Sequence, residues 1–192
     1  MADIILASAS PRRKELMERE GIDFKIDALS IDEVLDDSLA LEDRLKELSR
    51  SKAYPVHLKH PDDIVIGADT IVYHDEKIIG KPVDKEDAYR ILKSLSDDHH
   101  TVYTAVSIYN RNELIQFVDH TDVYFKDITY MIDDYLKSDE WKDKAGAYAI
   151  QDDASLFVDH IEGDIDTVIG LPVKKLVDVL DSIKKGYEFS VL

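Results

Sequence analysis

Apolar residues recur along this chain with two periods, and the period of each segment predicts its element. Residues 4–7 are a short apolar run that reads as a buried strand, and 11–20 read as a helix stopped by Gly21. A second short strand is expected over 23–26, followed by an acidic loop holding Asp32, Glu33, Asp36 and Asp37. Leu41, Leu45 and Leu48 keep helical spacing, which predicts a helix over 41–53 that ends ahead of Pro55. Residues 64–75, IVIGADTIVYHD, open on an unbroken β-branched run and predict a central strand covered on both faces. Residues 77–79 are expected to pair beside it. Further helices are predicted over 85–95, 128–136 and 172–184, and residues 101–109 and 114–125 predict a hairpin around Asn110 to Asn112. Strands and helices interleave around an antiparallel hairpin, so the expected fold is α/β with a mixed sheet. No solenoid repeat, low-complexity tract or linker interrupts the chain, and residues 1–192 are read as one domain.

Charge narrows the choice of partner. Lys and Arg number 24 against 41 Asp and Glu, a formal net charge of −17. Such a field repels nucleic acid polymers and anionic membrane surfaces. It also opposes a small anionic ligand, unless a local basic pocket or a divalent cation outweighs the distant carboxylates. Cysteine is absent, which removes disulfides, thiolate metal sites and thiol nucleophiles. The first apolar run is far shorter than the ~20 residues of a membrane span, and a cytoplasmic location is expected.

Against that background the stretch ILASASPRR, residues 5–13, is unexpected. Ser10 followed by Pro11 is a helix start, with the serine side chain expected to cap a backbone N–H. The first turn of a helix carries partial positive charge and favours Asp or Glu, yet Arg12, Arg13 and Lys14 stand there. Exposed N–H groups, the hydroxyls of Ser8 and Ser10 and two guanidinium forks are the parts of a phosphate site. The same arginines could equally pair with the chain's own surplus carboxylates. A second constellation is GADT, where Asp69 follows two small residues at the expected ligand edge of the sheet. A carboxylate there can hold a divalent cation or take a proton from an attacking water, and it can equally cap a turn. Lys81 sits between Gly80 and Pro82, so its ammonium is carried on a short stiff loop. No Walker or dinucleotide glycine pattern is present. His57, His60, His99 and His100 lack partners at ligand spacing and are assigned to the surface.

Taken together these stretches resemble the Maf family of nucleotide pyrophosphatases. The resemblance is carried by LASASPRRKEL (6–16), SKA (51–53), IVIGADTIV (64–72), GKP (80–82), HTVYTAVSI (100–108), TDVYF (121–125), DKAGAYAIQ (143–151) and GDIDTVIGLPV (163–173). It implies hydrolysis of a nucleoside triphosphate between its α and β phosphates with help from a divalent cation, Mg²⁺, Mn²⁺ or Co²⁺. It also implies a two-lobed mixed sheet around a cleft, similar to the inosine triphosphate pyrophosphatases, and a homodimer. Carried over by position, Asp69 is the proton acceptor for water, with Glu33 beside it as a second metal-holding carboxylate. Lys52 and Lys81 neutralise the phosphate chain, and Ser8, Ser10 and Arg13 cradle it. Arg12, Thr70 and Gln151 match the positions that set base preference, in the branch acting on dTTP, UTP and related pyrimidine or modified nucleotides. Ile165 and Asp166 depart from the aromatic that relatives often carry after GD. The rival expectation is a nucleotide-sensing regulator without turnover, linked to septum formation; pyrophosphate release separates the two.

Overall fold

The computed structural model describes residues 2–30 and 38–186. Its strands form a seven-stranded mixed sheet in the order β2-β1-β3-β5-β6-β7, with β4 paired to β3. In chain order these are β1 (Ile4–Leu6), β2 (Lys25–Ile26), β3 (Ile64–His74), β4 (Lys77–Ile79), β5 (His99–Asn110), β6 (Glu113–Phe125) and β7 (Val158–Glu162). The α-helices are α1 (Pro11–Arg19), α2 (Leu41–Lys59), α3 (Lys85–Leu95), α4 (Ile132–Tyr135), α5 (Ile165–Ile169) and α6 (Val173–Lys184). The expected mixed α/β architecture is therefore present. Two compact units divide the chain at β3, β5 and β6.

The first unit comprises Met1–Asp69, Thr104–Asp119 and Gly170–Leu192. Here β1 runs parallel to β3 with Leu6 opposite Ile66, and the Ala7 N–H extends the ladder to the Ile66 carbonyl at 2.8 Å. Ile5, Ala7, Ala53, Val56, Val65 and Tyr109 form one buried cluster, so α2 lies over the face of β3 that carries Val65. Alternation along a strand puts Gly67 and Asp69 on that same face. Contact is closest at Gly67, where an added Cβ would stand 2.6 Å from the Ser49 carbonyl oxygen and 2.8 Å from Ala53 Cβ.

Helix α2 runs six residues beyond the sequence expectation, through Pro55 to Lys59. Proline in a helix interior removes a hydrogen bond and costs ~3 kcal/mol or more. Tertiary packing outweighs it: Val56 is fully buried, and the His57 ring stacks on Tyr109 with centroids 4.4 Å apart. Sequence pattern located the proline but carried no information about the aromatic waiting for the next turn.

The second unit comprises Thr70–Tyr103 and His120–Ile169. Its core gathers Val72, Leu92, Leu95, Val123, Phe125, Ile128, Tyr135, Trp141, Tyr148 and Phe157. Helix α3 has the predicted bounds and a reciprocal start: Asp84 accepts the Asp87 N–H at 2.8 Å, while the Asp87 carboxylate accepts the Val83 N–H at 3.0 Å. The helix expected over 128–136 is confined to Ile132–Tyr135, and β2, α4 and the unpredicted β7 and α5 are all five residues or shorter. Elements that short carry too few periods to be read from pattern.

His100 corrects a surface assignment. It is 1% exposed, packed edge-on to Phe125 and Tyr148, and its Nε2 lies 2.7 Å from the Tyr148 hydroxyl. Burial pushes its pKa down to about 3, with a smaller contribution in the same direction from His74. His99, its neighbour on the strand, is exposed as expected. Among the described residues no helix is long and apolar enough to cross a membrane.

Candidate active site

Lys52 and Asp69 meet in the first unit. The lysine ammonium on α2 donates to the Asp69 carboxylate on β3, with side chains 18% and 8% exposed respectively. Three local causes bring them together. Gly67 lets the helix backbone rest on the strand, alternation turns Asp69 to the covered face, and Lys52 lies one turn beyond Ser49 on the helix. Asp69 stands mid-strand, because β3 continues to His74, and not at the strand end that the sequence suggested. Relative to β1, however, it lies three residues past the last paired position, Ile66, on the carboxyl side of that parallel pair. The crevice logic of open parallel sheets is retained there.

The loop after β1 carries the phosphate-binding candidates. Ser10 occupies the N-cap position of α1 with Pro11 behind it, and the first turn holds no acidic residue. The expected side-chain cap is not made; instead the Ser10 N–H donates to Ser8 Oγ at 3.3 Å. Arg13 is also partly engaged by the protein, donating from Nε to the Gly170 carbonyl at 2.8 Å and from Nη1 to Ser8 Oγ at 3.1 Å. Besides the phosphate role that the resemblance implies, Arg13 braces the serine loop against Gly170, the residue after α5. Arg12 and Ser10 are half-buried, and Ser8 is 8% exposed.

Thr70, Lys81 and Gln151 belong to the second unit. Thr70 follows Asp69 in β3 and so points to the opposite face of the strand. Lys81 and Gln151 are both exposed. The loop that carries Lys81 is held by the segment that leads to Gln151, since the Gly146 N–H donates to the Gly80 carbonyl at 3.2 Å. Gly146 needs to be glycine: φ is +73° and an added Cβ would meet Val72 at 3.0 Å. Two motifs far apart in sequence therefore fix one another. Glu33 lies outside the described residues. Ile165, at the departure from the family pattern, is 44% exposed, whereas Asp166 is buried.

Sequence reasoning missed a polar cluster beneath α2. Ser49 Oγ and Ser107 Oγ are 2.7 Å apart, and Gln116 Nε2 donates to Ser107 Oγ at 2.9 Å and to the Lys46 carbonyl at 3.0 Å. The signal available was Ser49 itself, a polar residue four positions after Leu45 on the predicted apolar stripe.

Among the described residues no three His, Asp or Glu side chains converge as a metal cage. A Mg²⁺-type ion asks for less, being held by one or two carboxylates together with substrate phosphates. The buried Asp69 carboxylate fits that donor set.

The Maf-like protein family matches residues 3–183. The dTTP/UTP pyrophosphatase of Bacillus anthracis (strain CDC 684 / NRRL 3495) is 43% identical over 92% of this chain and 93% of its own length. That of Bacillus cereus (strain ATCC 10987 / NRS 248) is 43% identical over 92% and 88%. A nucleoside-triphosphatase / dITP/XTP pyrophosphatase from Mycobacterium abscessus aligns at TM-score 0.41 and 12% identity, covering 64% of this chain and 74% of that one. With the family spanning nearly every element from β1 to α6 and the relatives aligned over most of both chains, this chain belongs to the Maf-like protein family.

Proposed function

We propose that this protein is a nucleoside triphosphate pyrophosphatase that cleaves dTTP, UTP and related pyrimidine nucleotides to the monophosphate and pyrophosphate. The observation that carries the reading is the Lys52 and Asp69 pair, buried together on α2 and β3 beside a parallel strand that opens into the serine loop. The dTTP/UTP specificity is drawn from the relatives' names and from Arg12, Thr70 and Gln151.

In this mechanism Asp69 orients a water and accepts its proton as oxygen attacks the α phosphorus. Lys52, already bonded to Asp69, supplies an ammonium for the charge that develops on the phosphate chain. Ser8 and Ser10, with the N–H groups of the α1 first turn, hold phosphate oxygens, and Arg13 keeps the serine loop in place through its bonds to Ser8 and Gly170. Lys81 is assigned a second neutralising charge, and Gln151 the base edge, where a neutral amide both donates and accepts. Asp69, with Glu33 from outside the described residues, would hold the divalent cation, which when bound neutralises phosphate charge. We place the enzyme in the cytoplasm as a homodimer.

The test is pyrophosphate release from a panel of triphosphates with Mg²⁺, Mn²⁺ or Co²⁺. Asp69→Asn keeps an oxygen that can accept from Lys52 and removes the base. Its kcat should fall by at least ~10²-fold with the fold retained. Wild-type turnover of dTTP by folded Asp69→Asn protein would refute the assigned role.

A further inference from the structure

We infer that Ser49, Ser107 and Gln116 form a positioning clip that sets where Lys52 meets Asp69; the inference rests on the hydrolytic reading of that pair. The clip joins three elements of the first unit. Ser49 on α2 meets Ser107 on β5, Ser107 accepts from Gln116 on β6, and Gln116 returns to α2 at the Lys46 carbonyl. Ser49 closes the ring by donating to the same carbonyl at 3.0 Å. Each side-chain donor has an acceptor within the ring, which is the condition under which a buried polar network fixes one arrangement. Ser49 and Ser107 are fully buried.

The location of the clip is what links it to chemistry. Apolar contacts at Leu45, Leu48, Ala53 and Val56 hold α2 on the sheet, but such contacts are non-directional and tolerate a small slide or roll. The tight contact at Gly67 limits how near the helix comes, not its register. Directional bonds from Gln116 and Ser107 to the turn of residues 46–49 supply the register, and Lys52 is the next residue along that face. A displacement near 1 Å at a reacting group costs up to ~10²-fold in rate. Gln116 and Ser107 touch neither Lys52 nor Asp69 through any of these bonds, so they act as positioning residues.

The experiment compares wild type, Asp69→Asn, Gln116→Met, the double variant Gln116→Met with Ser107→Ala, and a packing control in the same unit, Leu176→Val. Leu176 is fully buried on α6 and is not a member of the clip. Each is measured for pyrophosphate release from dTTP and for urea stability. The clip variants should lose about tenfold or more in kcat while KM stays within about twofold, whereas the control loses stability and keeps kcat. Methionine matches glutamine in length at a half-buried site, so the single variant tests the idea even if the double variant fails to fold. Wild-type kcat in folded Gln116→Met, beside an inactive Asp69→Asn, overturns the clip and leaves the hydrolytic reading standing. Equal loss of kcat in the control and the clip variants also overturns it. An inactive wild type overturns both readings together.

Discussion

His100 gives the second unit a pH dependence that one substitution should remove. The imidazole is 1% exposed, and burial holds its pKa at about 3, below the ordinary histidine value of 6.5. The neighbouring titratable groups that act on it are His74 and His99, which lower the value further, and Asp98, which raises it. A histidine with a depressed native pKa binds fewer protons folded than unfolded, so stability falls as pH drops below the unfolded value. At pH 8 neither state is protonated and the contribution vanishes. At pH 5 the unfolded chain is almost fully protonated at this site and the native protein is not, which costs about 2 kcal/mol.

The perturbation is His100→Gln, whose amide still reaches the Tyr148 hydroxyl but does not titrate. Loss of the ring from its contacts with Phe125 and Tyr148 lowers stability by a constant amount at every pH. The difference between the proteins should therefore shrink by about 2 kcal/mol between pH 8 and pH 5. With a urea m-value of about 2 kcal/mol/M, that is a relative midpoint shift of about 1 M. The single tryptophan, Trp141, belongs to the same buried cluster as Tyr148 and reports on this unit by fluorescence. Carboxylates with lowered pKa values, Asp98 among them, also weaken the fold in acid, but they do so in both proteins. Parallel stability curves from pH 8 to pH 5 would refute the reasoning.

Two further outcomes bear on the site. Gly67→Ala places a Cβ 2.6 Å from a backbone oxygen of α2, so the helix has to retreat some 0.8 Å to reach ordinary contact at 3.4 Å. Stability should drop by about 1 to 3 kcal/mol and dTTP turnover by well over tenfold, read by urea titration and pyrophosphate assay; unchanged values for both would show that α2 yields freely. Gln151→Glu replaces an amide that donates and accepts with a pure acceptor, and should shift the kcat/KM ranking away from dTTP and UTP by the equivalent of about 1 to 3 kcal/mol. An unaltered ranking would remove Gln151 from base recognition.

The long elements were legible because each supplies several periods of its pattern. Helix α3 matched its predicted bounds, and β3 matched to one residue, since eleven residues of strand leave little room for another reading. Position within the element was harder. Asp69 is expected at the ligand edge of the sheet because Gly67 and Ala68 ahead of it leave room, whereas here Gly67 admits a helix and the strand continues. The basic first turn of α1 left a ligand phosphate and surface carboxylates as equal partners for its arginines; no local pattern marks Gly170, 157 residues on, as the acceptor for Arg13. Ser49 was visible as a polar residue on an apolar face, but its partners on β5 and β6 depend on sheet order, which no local pattern contains.

Among the described residues, exposed ion pairs and the Lys52–Asp69 pair differ in what they contribute. Lys14 with Glu18, Arg50 with Glu47 and Lys142 with Asp139 are substantially exposed pairs three or four residues apart, of a type that contributes ~0 to 1 kcal/mol each. Lys52 with Asp69 is mostly withdrawn from water, where desolvation offsets much of the attraction. If stability were the reason for that pair, apolar side chains of similar size would serve as well. The double variant Lys52→Met with Asp69→Leu should then unfold in urea within about 1 kcal/mol of wild type or later, yet release no pyrophosphate from dTTP. Lys52→Met alone should be the less stable protein, because it leaves a buried carboxylate without its partner. Were the double variant to lose several kcal/mol relative to the single one, the pair would belong to the scaffold, and its place beside the serine loop would no longer argue for chemistry.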